Sequence, residues 1–222
     1  MFLVSSSIQA QEFEPCKTVD YIHALDNQFP GLKQHIDEVY QHSIAAAKKQ
    51  ELQHGKLFPI DTTYVIQLVF HVVWRTPEEN IDDIHIHEQI EVLNAAFNRQ
   101  NADTTNTREI FKQVAGSARI RFELATVDPN GNPTNGITRT QTSVTTFNTN
   151  NRATTYDFVK ETARGGMDSW DTKRYLNIWV CNLDFTNGLL GLFGYAFPPT
   201  DAEFLKNTTS FASEAKQGVV LH

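Results

Sequence analysis

Apolar residues recur along this chain with two different periods. Pro30 suits a first helical position, and Leu32, Ile36, Val39 and Ile44 follow at helical spacing, with Lys48 and Lys49 toward the end and Gly55 beyond. A shorter helix is expected before it, capped by Thr18 or Asp20 and running through Tyr21, Ile22 and Leu25. From Tyr64 the texture changes. Tyr64 to Trp74 reads YVIQLVFHVVW, almost continuously apolar and β-branched, which predicts a strand covered on both faces. Asp82 or Asp83 then caps a helix whose stripe is Ile86, Ile90, Leu93 and Phe97. Arg119 to Val127 alternates, with Ile120, Phe122 and Leu124 on one side and Arg121 and Glu123 on the other. Tyr175–Leu183, a glycine-interrupted Leu189–Phe197 and the last five residues complete a set of five strands. Strand, helix, strand and further strands predict a mixed α/β sheet with at least one right-handed crossover. The linkers are rich in Asn, Thr and Gly; Asp128 to Gly136, with two Asn-Gly steps and two prolines, must be a turn-bearing surface loop.

Composition narrows the classes. Of 222 residues, 40% are hydrophobic and 20% charged, which is globular and excludes a disordered tail or a coiled coil. No run approaches the ~18 apolar residues of a membrane span. Nineteen basic against 26 acidic residues, without a basic cluster, argue against a nucleic-acid surface. Two cysteines, Cys16 and Cys181, are too few for a disulfide scaffold.

The two ends carry their own expectations. Met1 to Gln11 is similar to the last part of a secretory signal peptide, with cleavage after Ala10, so residues 1–10 read as its remnant and the protein as secreted; a frayed cytosolic N-terminus is the alternative. Gly218-Val219-Val220-Leu221-His222 has the character of a buried strand, and stopping there predicts a natural product that continues.

Local motifs for chemistry are scarce. The sequence has no phosphate loop, dinucleotide fingerprint or Gly-x-Ser-x-Gly elbow. His85-Ile86-His87-Glu88 fails as a zinc helix: the residue four after His87 is Glu91, and imidazoles two apart on a helix diverge. His71, inside the first strand, is expected to be a buried histidine hydrogen-bonded within the sheet. Cys16, near the start of the helical extension, has three readings: a thiolate capping a zinc ion, an inert thiol, or a disulfide partner of Cys181.

Several runs together resemble the pappalysin family of metzincin zinc peptidases. They are Val69-Phe-His-Val-Val73, Gln89-Ile-Glu-Val-Leu-Asn94, Asp128 through the Asn-Gly-Ile-Thr-Arg-Thr run to Thr140, Trp170-Asp171, and Arg174-Tyr-Leu-Asn-Ile-Trp-Val-Cys-Asn-Leu183. Leu189-Leu-Gly191, Gly194-Tyr-Ala196 and Gly218-Val-Val220 continue the likeness in family order. The resemblance implies a helical pro-segment at residues 11–58. Residues 59–222 would form the upper subdomain of a metzincin-type catalytic domain, a mostly parallel five-stranded twisted sheet with packed helices. It also implies Zn²⁺ as cofactor, with calcium as a further family ion, and peptide-bond hydrolysis by zinc-activated water. The His-Glu-x-x-His-x-x-Gly-x-x-His helix is absent from the sequence, so no catalytic residue is assigned and this chain alone is expected to be inactive. Two assignments do carry over. Cys16 would cap the zinc of the proform, with Lys17 where glycine is usual. Gly194, Tyr195 and Ala196 would line the antiparallel edge strand that binds a protein or peptide substrate by strand addition. The rival is a non-catalytic peptide- or protein-binding module that retains the sheet edge.

Overall fold

The computed structural model describes residues 19, 22–23, 26–27, 30–54, 63–147, 158–183, 193–197 and 214–222. Cys16, the leader-like N-terminus, Thr18, Asp20, Tyr21, Leu25 and Leu189–Gly191 lie outside them. Helix α1 spans Leu32–His54. Pro30 and Gly31 form a turn before it rather than its first helical residues, because Gly31 has a positive φ of 97°. The Lys33 N–H, one of the orphan donors of a helix start, donates to Asp26 Oδ1 at 2.9 Å.

Strand β1 (Tyr64–Trp74) is the axis of the sheet. Its residues Leu68 to Val73 are all buried, as a strand covered on both faces must be, while Tyr64 and Val65 at its start remain exposed. Helix α2 (Asp83–Phe97) lies on one face. Its Ile86 and Ile90 join Leu68, Phe70 and Val72 of β1 and the buried Phe122 and Ile178 in one apolar cluster. Asp82 is the N-cap by backbone conformation, but its side chain makes no capping bond. Asp83 instead pairs with Arg139, Oδ1 to Nη2 at 2.5 Å.

Among the described residues the sheet has the five strand positions expected, one of them filled by two short strands, six strands in all. Strands β2 (Ile120–Leu124) and β3 (Ile137–Gln141) both pair parallel to β1. They lie end to end: β2 matches Tyr64–Leu68, and β3 matches Phe70–Trp74. The chain leaves β1 after Ala125, whose N–H donates to the Leu68 carbonyl at 2.8 Å, and returns where the Phe70 N–H reaches the Gly136 carbonyl at 2.9 Å. The excursion between is the expected turn-bearing loop, tied by Asp128 Oδ1, which accepts the N–H groups of Asn130 (2.9 Å) and Asn132 (2.8 Å). β3 escapes prediction because only Ile137 is apolar in its Ile-Thr-Arg-Thr-Gln sequence.

Strand β4 (Leu176–Val180) pairs parallel to the other side of β1. Strand β6 (Gly218–Leu221) is parallel to β4, and strand β5 (Gly194–Phe197) is antiparallel to β6. The order is β2-β1-β4-β6-β5, so the final segment of the sequence lies inside the sheet and β5 stands at one end among the described residues. The far end is handled differently. Asn94 of α2 donates to the Phe122 carbonyl (3.0 Å) and accepts the Phe122 N–H (2.8 Å), and Asn98 donates to the Ile120 carbonyl (2.8 Å). These side-chain amides replace a further strand and close that edge.

The second face of the sheet carries Val73, Trp179, Cys181, Tyr195 and Val220, clustered with Leu32 of α1 and with Phe147, Val159 and Leu183. Among the described residues, no helix is long and apolar enough to cross a membrane.

Candidate substrate edge and its support

Gly194, Tyr195 and Ala196 sit together on β5, opposite Leu221, Val220 and Val219. Close approach explains the glycine. A Cβ at Gly194 would lie 2.6 Å from the Val220 carbonyl oxygen, inside any tolerable contact, so only glycine lets the two strands meet here. The ladder extends past the strand, with the His222 N–H donating to the Phe193 carbonyl at 2.9 Å. Period-two alternation sends Tyr195 into the second-face cluster, where it is buried. Its backbone therefore stands on an inward-facing anchor.

Beneath that anchor lies a charged residue that periodicity could not flag. Lys160 is buried, with its Nζ donating to the Lys216 carbonyl at 2.6 Å. The same ammonium sits 5.3 Å from the ring centres of both Trp179 and Tyr195, a cation–π arrangement. Lys216 Nζ in turn reaches Glu161 Oε1 at 2.7 Å. Lys160 thus joins its own short helical turn (Phe158–Lys160), the approach to β6 and the side chain of β5. In sequence it stands between Asn/Thr-rich loop and glycine, with no pattern to mark it.

The centre of the sheet holds a second buried polar group. The Asn177 amide orientation is set by Trp170: Nδ2 donates to the Trp170 carbonyl at 3.0 Å, and Oδ1 accepts the Trp170 N–H at 2.7 Å. That oxygen is also 3.0 Å from His71 Nε2, so Nε2 carries the ring proton and donates. Nδ1, 2.7 Å from Thr138 Oγ1, accepts from the hydroxyl. The neutral imidazole is fully satisfied. Burial drives its pKa from 6.5 down to about 4, outweighing the opposing Asn177 hydrogen bond. His71 is therefore the satisfied core histidine expected from its place in the strand.

This carries a pH signature. The unfolded chain takes up the proton near pH 6.5 and the folded chain only near 4, so stability falls as pH falls through that interval. The loss is about 3 kcal/mol by pH 4. Urea unfolding at pH 7, 5 and 4 measures it, and His71→Gln should flatten the dependence; equal slopes in the two proteins would contradict the assignment.

Beyond the C-terminal ends of β1 and β4, Glu79 bridges the two segments. Burial works against its charge, but the N–H of Arg75 (2.6 Å), the Asn182 amide (3.1 Å) and the N–H of Thr76 (3.3 Å) outweigh it and hold the carboxyl below its usual range. Partial burial lowers the pKa of His222, whose Nδ1 accepts the Leu183 N–H at 3.1 Å. Burial first, and Glu79 second, push the Cys181 thiol well above its ordinary value, so it is a poor nucleophile and a poor metal ligand. His85 and His87 lie exposed near the start of α2, with His85 Nδ1 3.7 Å from Glu88 Oε2. Among the described residues, no three His, Cys, Asp or Glu side chains come together to hold a metal ion. The residues described do not fit a zinc or calcium centre.

No protein-family model and no curated protein matches the chain. Solved structures do. A promirolysin mutant from Tannerella forsythia is 40% identical, with a TM-score of 0.64, over 93% of this chain and 59% of its own. Mature mirolysin from the same organism, in complex with a cleaved peptide, is 46% identical, with a TM-score of 0.61, over 73% of this chain and 53% of its own. Mirolysin in complex with "compound 9" gives the same figures. The chain therefore spans between half and three-fifths of the solved chains it matches. Its mostly parallel sheet with packed helices is the metzincin-type fold of promirolysin, and its similarity is to a metzincin-type zinc metallopeptidase.

Proposed function

We propose that this chain is the pro-segment and upper catalytic subdomain of a secreted, pappalysin-type zinc endopeptidase, with residues 11–58 as the pro-segment and residues 59–222 as the subdomain. The observation that carries this reading is the 40% identity to promirolysin along 93% of the chain. Promirolysin matches a fifth more of the chain than mature mirolysin does, 93% against 73%, close to the length assigned to the pro-segment. The mirolysin complex with a cleaved peptide supports a peptide or protein as substrate.

In this reading the chain contributes recognition and latency. An extended substrate adds to β5 along Gly194, Tyr195 and Ala196. Backbone hydrogen bonding at a sheet edge gives affinity without regard to side chain, which suits varied protein substrates. Antiparallel pairing on β6 and the far edge closed by Asn94 and Asn98 make β5 the end at which a strand can be added. Zinc supplies a polarised water in the complete enzyme. Its ligands are not among the residues described, and the isolated chain is expected to hydrolyse nothing. Cys16 would be the residue of this chain that holds the zinc of the proform, its thiolate supplying a soft donor.

The full-length protein is the test. It is expected to bind zinc and to cleave a denatured protein once the pro-segment is lost, and Cys16→Ala is expected to shorten the lag before self-activation several-fold. Absence of both zinc and cleavage would overturn the peptidase reading in favour of a binding module. An unchanged lag would make the thiol a bystander.

A further inference from the structure

We infer that the first turn of α1 is a detachable plug: Leu32, backed by Ile36, closes an apolar socket on the second face of the sheet, and its withdrawal opens that socket while the sheet stays folded. The regulatory meaning of this rests on reading residues 11–58 as a pro-segment; the plug itself does not. Leu32 is 1% exposed and shares its cluster with Val73, Trp179, Cys181, Tyr195 and Val220, with Ile36 packed alongside. Beyond that turn the described side chains of the helix are exposed or half-buried. Asp37, Glu38, Gln41 and His42 are exposed, and Tyr40 is 65% exposed. A helix that belonged to the core would bury a stripe along its whole length. This one, among its described side chains, buries only its start.

The energetics favour separate release. Burying one leucine, even with part of an isoleucine, contributes a fraction of what holds a domain together, so lifting the plug costs less than unfolding the sheet. The socket also has a functional wall. Tyr195, the inward anchor of β5, belongs to it. Seating of the pro-segment and packing behind the substrate edge are therefore linked: release of Leu32 removes a member of the apolar cluster to which the inward anchor of β5 belongs. That adds a second hold on latency, independent of the thiol of Cys16.

Cys181 lies in the same socket, 5% exposed, and is a built-in reporter. The experiment alkylates the 222-residue chain with iodoacetamide and reads the Cys181 peptide by mass spectrometry, apart from Cys16. Wild type should label slowly, at a rate independent of urea at low concentration, as local opening requires. Leu32→Ala should label at least about 30-fold faster, and Leu32→Val by an intermediate factor. Ile86→Ala, which opens a cavity on the opposite face, should leave the low-urea rate within a few-fold of wild type. Equal rates in wild type and both Leu32 variants would overturn the plug. So would rates that climb with urea in step with global unfolding from the lowest concentration. If the 222-residue chain labels as expected while the full-length protein binds no zinc and cleaves nothing, the plug stands and the peptidase reading falls. Cleavage by the full-length protein, with Cys181 of the 222-residue chain exposed only on global unfolding, does the reverse.

Discussion

Gly218→Ala is expected to be among the most damaging single methyl groups that can be added to this protein. Gly218 opens β6 at φ 133°, a conformation that L side chains rarely adopt. A Cβ there would lie 2.3 Å from the Asn177 carbonyl oxygen and 2.8 Å from Trp179 Cζ3. Neither neighbour can retreat: Asn177 is in β4 at the centre of the sheet, and Trp179 is fully buried. The chain must rotate out of its conformation, breaking the β4–β6 pairing, and β5 loses its only described neighbour with it. Strain and lost packing together should cost about 3 kcal/mol or more. Gly116→Ala is the control, since nothing lies within 4 Å of its added Cβ. Urea midpoints of the two variants decide the matter. Equal midpoints would mean that the approach of β6 to β4 is looser than described.

Asn177→Ala should do comparable harm by another route. The Asn177 side chain satisfies the Trp170 N–H, the Trp170 carbonyl and His71 Nε2–H, and its residue is 1% exposed. Truncation strands the buried His71 Nε2–H and leaves the part-buried Trp170 N–H and carbonyl without their partner, at about 1–3 kcal/mol for each that finds no substitute, so a loss of about 3 kcal/mol is expected. Asn177→Asp separates geometry from charge. It keeps the acceptor but places a carboxylate beside the imidazole, which favours the protonated ring and should raise the His71 pKa from about 4. Nitrogen-15 titration of His71 reads this directly. A stable Asn177→Ala protein, or an Asn177→Asp protein whose His71 still titrates near 4, would refute the network.

Where pattern and packing agree, the architecture was legible. The apolar runs at β1 and β4 and the stripe of α2 arise because burial on two faces, or on one, imposes its own periodicity. β3 was not legible, since Thr138 faces His71 and Arg139 reaches Asp83 and Asn80, partners that exist only after folding. Lys160 was hidden for a related reason: a buried ammonium depends on a carbonyl and two rings distant in sequence. Asn177 did leave a sign, as the one polar residue in Leu-Asn-Ile-Trp-Val. The end strand shows as a glycine-interrupted apolar run, but the roles given to Gly194, Tyr195 and Ala196 come from family likeness. Periodicity alone cannot say which strand stands last in a sheet.

The central claim is that β5 receives an extended chain. Hydrogen exchange on the mature full-length protein, with and without a non-cleavable extended peptide, tests it most directly. The account predicts that exchange slows at the amides of Gly194 and Ala196, which alternation turns away from β6, while that of Leu124 at the opposite edge is unchanged. Protection appearing elsewhere, with residues 194–196 unaffected by saturating peptide, would contradict it.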